Sequence, residues 1–343
     1  MSLSLTLIAL LSTASPVVAE VPVRAVTANA ETRPVATRND DAADDPAIWH
    51  NAKAPAKSLI VGTDKKAGLH SYTLNGTPMD FAPAGRVNNV DIADHGGKVI
   101  VGASDRNDLT RGHIALYTLS ARGKLGKIGR VDTGAGEAYG FCFYTRPQDG
   151  ALFAFQVMKD GRVDQVRLDL SAKTPRGTVV RTFKLATQSE GCVVDARTGQ
   201  LYVGEEDGGI WQIGANPADG TTPQMFAAID GKTLVADVEG LALVPHPDTS
   251  RKAAGWLIAS SQGDNTYVVY DLETRKALRK VQVVAGATGI GATSETDGIE
   301  ASAKAFGPDF PNGLFIVQDG DNAPKAQNFK LVDLQKLLID DVN

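Results

Sequence analysis

A hydrophobic run that ends in a polar loop recurs six times along this 343-residue chain, and that repeat restricts the possible folds more than any other property of the sequence. The runs begin at Leu59, Val99, Leu152, Leu201, Leu257 and Leu314, in steps of 40, 53, 49, 56 and 57 residues. A second β-rich run follows each of them ("GLHSYTL", "GHIALYTL", "GRVDQVRLDL", "GGIWQI", "TYVVYDL", "NFKLVDL"), so each pair reads as a hairpin. Another short run precedes each hairpin: "DDPAIW", "NNVDIAD", "EAYGFCFY", "SEGCVVD", "DVEGLALV" and "ETDGIEAS". Six copies of a three-to-four-strand unit of about 50 residues predict an all-β, six-bladed β-propeller. A β-sandwich has no such constant period, and β-helix coils are far shorter. The segment 20–343 is expected to form one domain.

In a propeller the first strand of a blade lines the axis and the second runs antiparallel to it. The start of strand one and the end of strand two therefore share a face. Strand-one starts carry Asp44 and Asp45, Asn89 and Asp91, Glu137, Glu190, Asp237 and Glu239, and Asp297. Strand-two ends add Lys65, Lys66, Arg106 and Lys159 in the first three blades, and Glu206 and Asp207 in the fourth. Converging carboxylates repel and raise one another's pKa unless cations neutralise them, and many oxygen ligands suit Ca²⁺ better than Mg²⁺. The basic side of the same face suits phosphate. Several calcium ions and a polyphosphate are the expected partners. Asp40 and Asp41 fall outside the repeat register and read as a solvated loop.

The first nineteen residues have an apolar centre and end Val17-Val18-Ala19, a small-residue cleavage pattern, so 1–19 reads as a signal peptide. Export to the periplasm or the medium is expected. A net charge of −5 leaves no general field for nucleic acid, and no later apolar run is long enough for a membrane span. Five histidines without HExxH or CxxC spacing argue against zinc, and no GxSxG or GxxxxGK[ST] motif occurs. Cys142 lies two positions after Gly140 and Cys192 one after Gly191, which places them on opposite faces of equivalent strands. Both are expected as buried free thiols.

The motifs "DAADDPAIW", "KKAGL", "NNVDI", "YGFCFY", "SEGCVVD", "GEEDGGIW", "DVEGL", "SSQGDN", "SETDGIE" and "QNFK", in this order from Glu31 to Lys330, resemble those of the β-propeller phytases. The resemblance implies a calcium-dependent phosphomonoesterase that removes phosphate from phytate, myo-inositol hexakisphosphate. It implies metal ligands at Glu31, Asp44, Asp45, Asp91, Glu190, Glu206, Asp237, Glu239 and Asp297. Phosphate contacts are implied at Lys65, Lys66, Arg106, Tyr139 and Lys159, with Asn89 beside them. Asp45, Glu190, Asp237, Glu239, Lys66 and Arg106 are the residues expected to carry the reaction, by attack of a metal-activated water. Gly291 stands where the family has an acid for a structural calcium, so fewer or weaker stabilising sites are expected. Phytate is expected as its calcium complex, on a monomeric enzyme. Two alternatives remain at this point, a calcium-dependent lactonase or esterase propeller and a non-catalytic propeller stabilised by calcium.

Overall fold

The computed structural model describes residues 21–38 and 41–338. The expected leader 1–19 and Asp40 lie outside the described residues. Two short N-terminal strands, β1 (Val23–Thr27) and β2 (Ala30–Glu31), come first. Four four-stranded antiparallel sheets then follow in chain order. They are β3 (Ala43–Trp49) with β4 (Leu59–Asp64), β5 (Gly68–Thr73) and β6 (Pro78–Ala82); β7 (Val87–His95) with β8 (Lys98–Asp105), β9 (Arg111–Leu119) and β10 (Leu125–Ala135); β11 (Ala138–Thr145) with β12 (Leu152–Met158), β13 (Arg162–Asp169) and β14 (Arg176–Lys184); and β15 (Ser189–Asp195) with β16 (Gln200–Glu205), β17 (Gly209–Gly214) and β18 (Gln224–Ala228). The fifth sheet holds β19 (Val238–Pro245), β20 (Gly255–Ser261), β21 (Thr266–Asp271) and β22 (Ala277–Val284), and the sixth β23 (Ile299–Ser302), β24 (Leu314–Asp319) and β25 (Asn328–Asp333). The result is the six-bladed propeller that the repeat predicts.

The ring is closed by residues 23–31. Strand β2 pairs antiparallel with β25 and supplies the outer strand that the sixth repeat lacks, while β1 adds a parallel fifth strand beside β22. Tying the first residues to the last two blades prevents the ring from opening at its seam and covers a sheet edge.

Blades stack face to face, so a middle strand is buried on both faces and reads as continuous apolar sequence rather than alternation. The segment "LFAFQVM" of β12 is buried throughout, whereas outer strand β14 is largely exposed. The core therefore lies between blades: Val157 and Val163 of the third pack with Leu201 and Val203 of the fourth.

Cys142 and Cys192 form a disulfide, with Cα atoms 5.7 Å apart, contrary to the expectation of free thiols. The two cysteines do lie on opposite faces of equivalent strands, since Phe141 rather than Cys142 is the counterpart of Cys192 after the register jump. When neighbouring sheets stack, the side chains that meet come from opposite faces of equivalent strands, so an opposite-face pair is the geometry that a bond between blades requires.

Candidate active site

Five of the six inner strands pair regularly with their neighbour except near their start. The pairing jumps from Ala43 to Pro46, Val87 to Val90, Ala138 to Phe141, Ser189 to Cys192 and Val238 to Leu241. The two residues skipped are Asp44-Asp45, Asn88-Asn89, Tyr139-Gly140, Glu190-Gly191 and Glu239-Gly240; in the sixth blade Asp297-Gly298 stands just before β23. An irregularity of this kind frees backbone groups from the ladder and re-aims side chains. The freed groups bond around the ring instead: Gly240 N donates to Asp297 O at 3.1 Å and Gly298 N to Asp44 O at 3.0 Å. Such contacts leave no room for a side chain. A Cβ at Gly140 would lie 1.8 Å from Glu190 O, and one at Gly298 2.5 Å from Asp45 Cα. The sequence feature "acid, then glycine" is thus a device for bringing one blade's backbone against the backbone of the next blade's acidic residue.

Of these residues Tyr139, Glu239 and Asp297 line a cleft of about 570 Å3, together with Asp41, Lys65 and Glu206, among others. Lys65 Nζ sits 3.0 Å from Asp44 Oδ1, 3.2 Å from Asp297 Oδ2 and 2.8 Å from Asp41 Oδ2. Asp41, expected in a solvated loop, is exposed yet tied to the site through this lysine. Asn88 Nδ2 donates to both Asp44 Oδ2 and Glu190 Oε1 at 2.9 Å. Asn89, with its amide nitrogen turned inward, reaches Glu190 Oε1 at 3.0 Å. Gln188 Nε2 donates to both oxygens of Glu206, at 2.7 and 2.8 Å, and Gln262 donates to Asp297. Arg106 pairs with Glu137 and donates to Asn88, and its guanidinium lies 5.4 Å from the Tyr139 ring centre. Lys159 Nζ lies 5.3 Å from the same ring.

Burial pushes Glu190, Glu239, Asp297 and Asp45 well above the usual carboxylate range, and neighbouring acids add to the shift. Glu206 and Asp237 are raised by partial burial as well. Tyr139 is held protonated, first by burial and then by Glu190, Glu239 and Glu206. Burial disfavours the Lys65 charge, but Asp44, Asp297 and Asp41 outweigh it and raise its pKa. One oxygen each from Glu190, Glu206 and Glu239 lie within 4.8 Å of one another, and Glu239 Oε2 is buried without a hydrogen-bond partner among the described residues. Calcium–oxygen distances of about 2.3–2.6 Å put opposite ligands roughly 5 Å apart, so the three carboxylates fit one such ion without moving. The donors are all oxygen, which suits a hard cation and not zinc.

Other candidates stand apart from this cleft. Glu31 pairs with Lys330 Nζ at 2.7 Å, and that fully buried ammonium also contacts Asp319 Oδ2 at 3.0 Å. A Cβ at Gly291 would come within 4.0 Å of the same nitrogen, so the missing acid would have joined a cluster that already holds a cation. Asp45 and Asp91 line a separate axial cavity of about 180 Å3 together with Glu300. Asp45 accepts from Val90 N at 2.9 Å and Asp91 from Phe143 N at 2.7 Å; burial pushes Asp91 up to about 6 and Glu300 to about 8. Lys66 is exposed and outside the cleft lining. Asn88, Gln188 and Glu300 were not singled out from the sequence. The signal for Asn88 was present in "NNVDI", but simple alternation admits only one of two adjacent residues to a face, and the register jump admits both.

A model of the phytase family matches residues 1–342. The chain belongs to the phytase family. It is 36% identical to a 3-phytase of Bacillus subtilis (strain 168) over 326 residues, which cover 91% of this chain and 84% of that protein. Among solved structures, the calcium-binding protein regucalcin of Agrobacterium tumefaciens superposes on this phytase-family chain with a TM-score of 0.54 at 12% identity, covering 90% of this chain and 95% of that one. A chain of the mitotic checkpoint complex gives 0.53 at 11%, covering 94% and 99%. At such identities these two likenesses concern the propeller alone.

Proposed function

We propose that this phytase-family enzyme hydrolyses phytate at a calcium-loaded carboxylate cluster, and that it takes the substrate as its calcium complex. The observation that carries this reading is the meeting of Glu190, Glu206 and Glu239, two of which line a cleft shared with Lys65 and with Tyr139, whose ring lies beside Lys159 and Arg106. Bound calcium supplies positive charge to phosphoryl oxygens and lowers the pKa of a water. The protein's own part is to hold and orient. Glu190, Glu206 and Glu239 form the ion-binding side, fixed by Asn88 and Gln188. Tyr139, kept protonated, donates a hydrogen bond beside Glu190 rather than adding another negative charge. Lys159 and Arg106 flank the Tyr139 ring and are placed to hold a second phosphate of the same molecule. Lys65 neutralises Asp44 and Asp297, and its ammonium becomes available to phosphate when other cations take over those carboxylates.

The test is phosphate release from phytate and from p-nitrophenyl phosphate across a calcium titration. Activity should vanish in excess chelator, follow the calcium–phytate complex, and be weak on the monoester, which forgoes the neighbouring contacts. Full phytate hydrolysis in chelator would sink the calcium reading. We also propose export to the periplasm or the medium. The leader-like composition of residues 1–19 and the Cys142–Cys192 bond, a linkage that persists in oxidising compartments, support it.

A further inference from the structure

The face opposite the acid cleft carries a second charged concavity, of the opposite sign. Blades two and three leave a groove of about 1000 Å3 between the β7–β8 turn, the outer strand β10 and the β13–β14 turn. Lys98, Lys127, Arg167, Lys173 and Arg176 line it, all exposed, and Asp169 is the one carboxylate among its lining residues. None of the five bases has a carboxylate within 4.0 Å among the described residues. On the same two blades Arg111, Lys124, Arg130 and Arg146 are each paired with an aspartate. Asp169 is occupied locally, accepting from Ser171 N at 3.0 Å and Ser171 Oγ at 2.7 Å.

The groove has a fixed floor. Ile100, Leu152 and Leu168 beneath it are buried, and the two blades touch where a Cβ at Gly129 would lie 2.7 Å from Pro175 Cδ and one at Gly177 2.2 Å from Val131 Cγ1. Five exposed cations on long stems surround this concavity in a chain of net charge −5; Asp169 in the lining and Asp149 beside it offset part of the charge of Arg167 and Arg176, and five bases still face one lining carboxylate. Two of them are arginines, whose forks match phosphate oxygens in pairs.

We propose that this groove is a second, non-catalytic site for a compact polyphosphate anion, an inositol polyphosphate. The volume is that of a small-molecule site rather than a flat polymer track. Because the bases are part of the protein, binding here needs no calcium, whereas the acid cleft repels a bare polyanion. With one carboxylate in its lining the groove has no ligand set for a catalytic ion, so it holds the anion without cleaving it. The choice of inositol phosphate among polyanions rests on the substrate reading above, and hydrolysis measured separately with calcium keeps the two distinguishable.

The test is titration of phytate into the full chain in excess chelator, read by calorimetry and by protection of lysines from acetylation, located by mass spectrometry. Protection should appear at Lys98, Lys127 and Lys173 and should not be reproduced by inorganic sulfate at equal charge. Changing both arginines, Arg167→Ala with Arg176→Ala, should weaken binding by about tenfold or more, while phytate hydrolysis at saturating calcium stays within about twofold of the parent. Should the chelated protein loosen, the same footprint with myo-inositol hexasulfate on the calcium-loaded protein gives the same reading, because that probe is not hydrolysed. Absence of protection in both settings, equal protection by sulfate, or binding unchanged in the double variant each overturns the proposal.

Discussion

The two faces of the propeller hold charge in opposite ways. On the acid face Glu190, Glu239 and Asp297 are buried and converge from different blades, and Lys65 offsets the charge of Glu190 and Asp297. On the far face Lys98, Lys127, Arg167, Lys173 and Arg176 stand exposed around a groove. Buried like charges couple a site to the stability of the fold, because each must be ionised at a desolvation cost or protonated. Exposed charges do not, since water screens them. The first site should therefore behave as part of the folding equilibrium, and the second as a surface that can be changed freely.

The largest effect that would test the contrast is catalytic. Glu190→Gln and Glu239→Gln should each lower kcat on phytate by about 100-fold or more, since they remove charge from the ion-binding side. The same changes should raise the melting temperature of the chelated protein, because a buried carboxylate that is costly to ionise has been replaced by a neutral isostere. A variant that loses activity and stability together would argue that these acids are structural.

Next comes the cation inside the ring. Lys65→Ala should destabilise the chelated protein by about 3 kcal/mol in denaturant unfolding, because Asp44 and Asp297 are left without their partner, and by distinctly less in saturating calcium. Equal losses in both conditions would mean that calcium does not take over these carboxylates.

The pH dependence follows from the raised acids. A carboxyl whose folded-state pKa lies above its unfolded value binds more protons folded than unfolded, so stability is greatest below the unfolded value and falls as pH rises through the folded one. For Glu190 and Glu239 the fall begins near the ordinary glutamate value of 4.5 and continues above it. Melting of the chelated protein should thus drop as pH rises from about 4.5 towards neutrality, and saturating calcium should flatten the slope. The opposite slope would contradict the burial that raises these groups.

The smallest effect is expected on the far face. Lys127→Ala, or Arg167→Ala with Arg176→Ala, should shift unfolding free energy by no more than about 0.5 kcal/mol per residue, with or without calcium. A larger loss would show that these bases support the fold and would erase the contrast between the faces.

The primary structure by itself determined the number of blades and which end of each inner strand carries acid. Both are local properties: a strand buried on two faces reads as an apolar run, and a polar turn ends it. That is why Asp44, Glu190, Glu239 and Asp297 could be assigned to one face from their register alone, and why Lys65, Arg106 and Lys159 could be set beside them on that face. What only the tertiary structure decided depends on how one blade meets the next, which no single repeat encodes. The register jump brings Asn88 and Asn89 both to Glu190, where alternation would have chosen one. Face-to-face stacking joins Cys142 to Cys192 across a separation of 50 residues. Closure of the ring carries Glu31 from the start of the chain to Lys330 near its end, into a cluster of its own. The basic groove has the same origin: Lys98 and Lys127 from blade two face Arg167 and Arg176 from blade three only because Gly129 and Gly177 let the outer strands approach. In each case the partners are distant in sequence, and the energy that selects them comes from packing between sheets rather than from the propensity of any one strand.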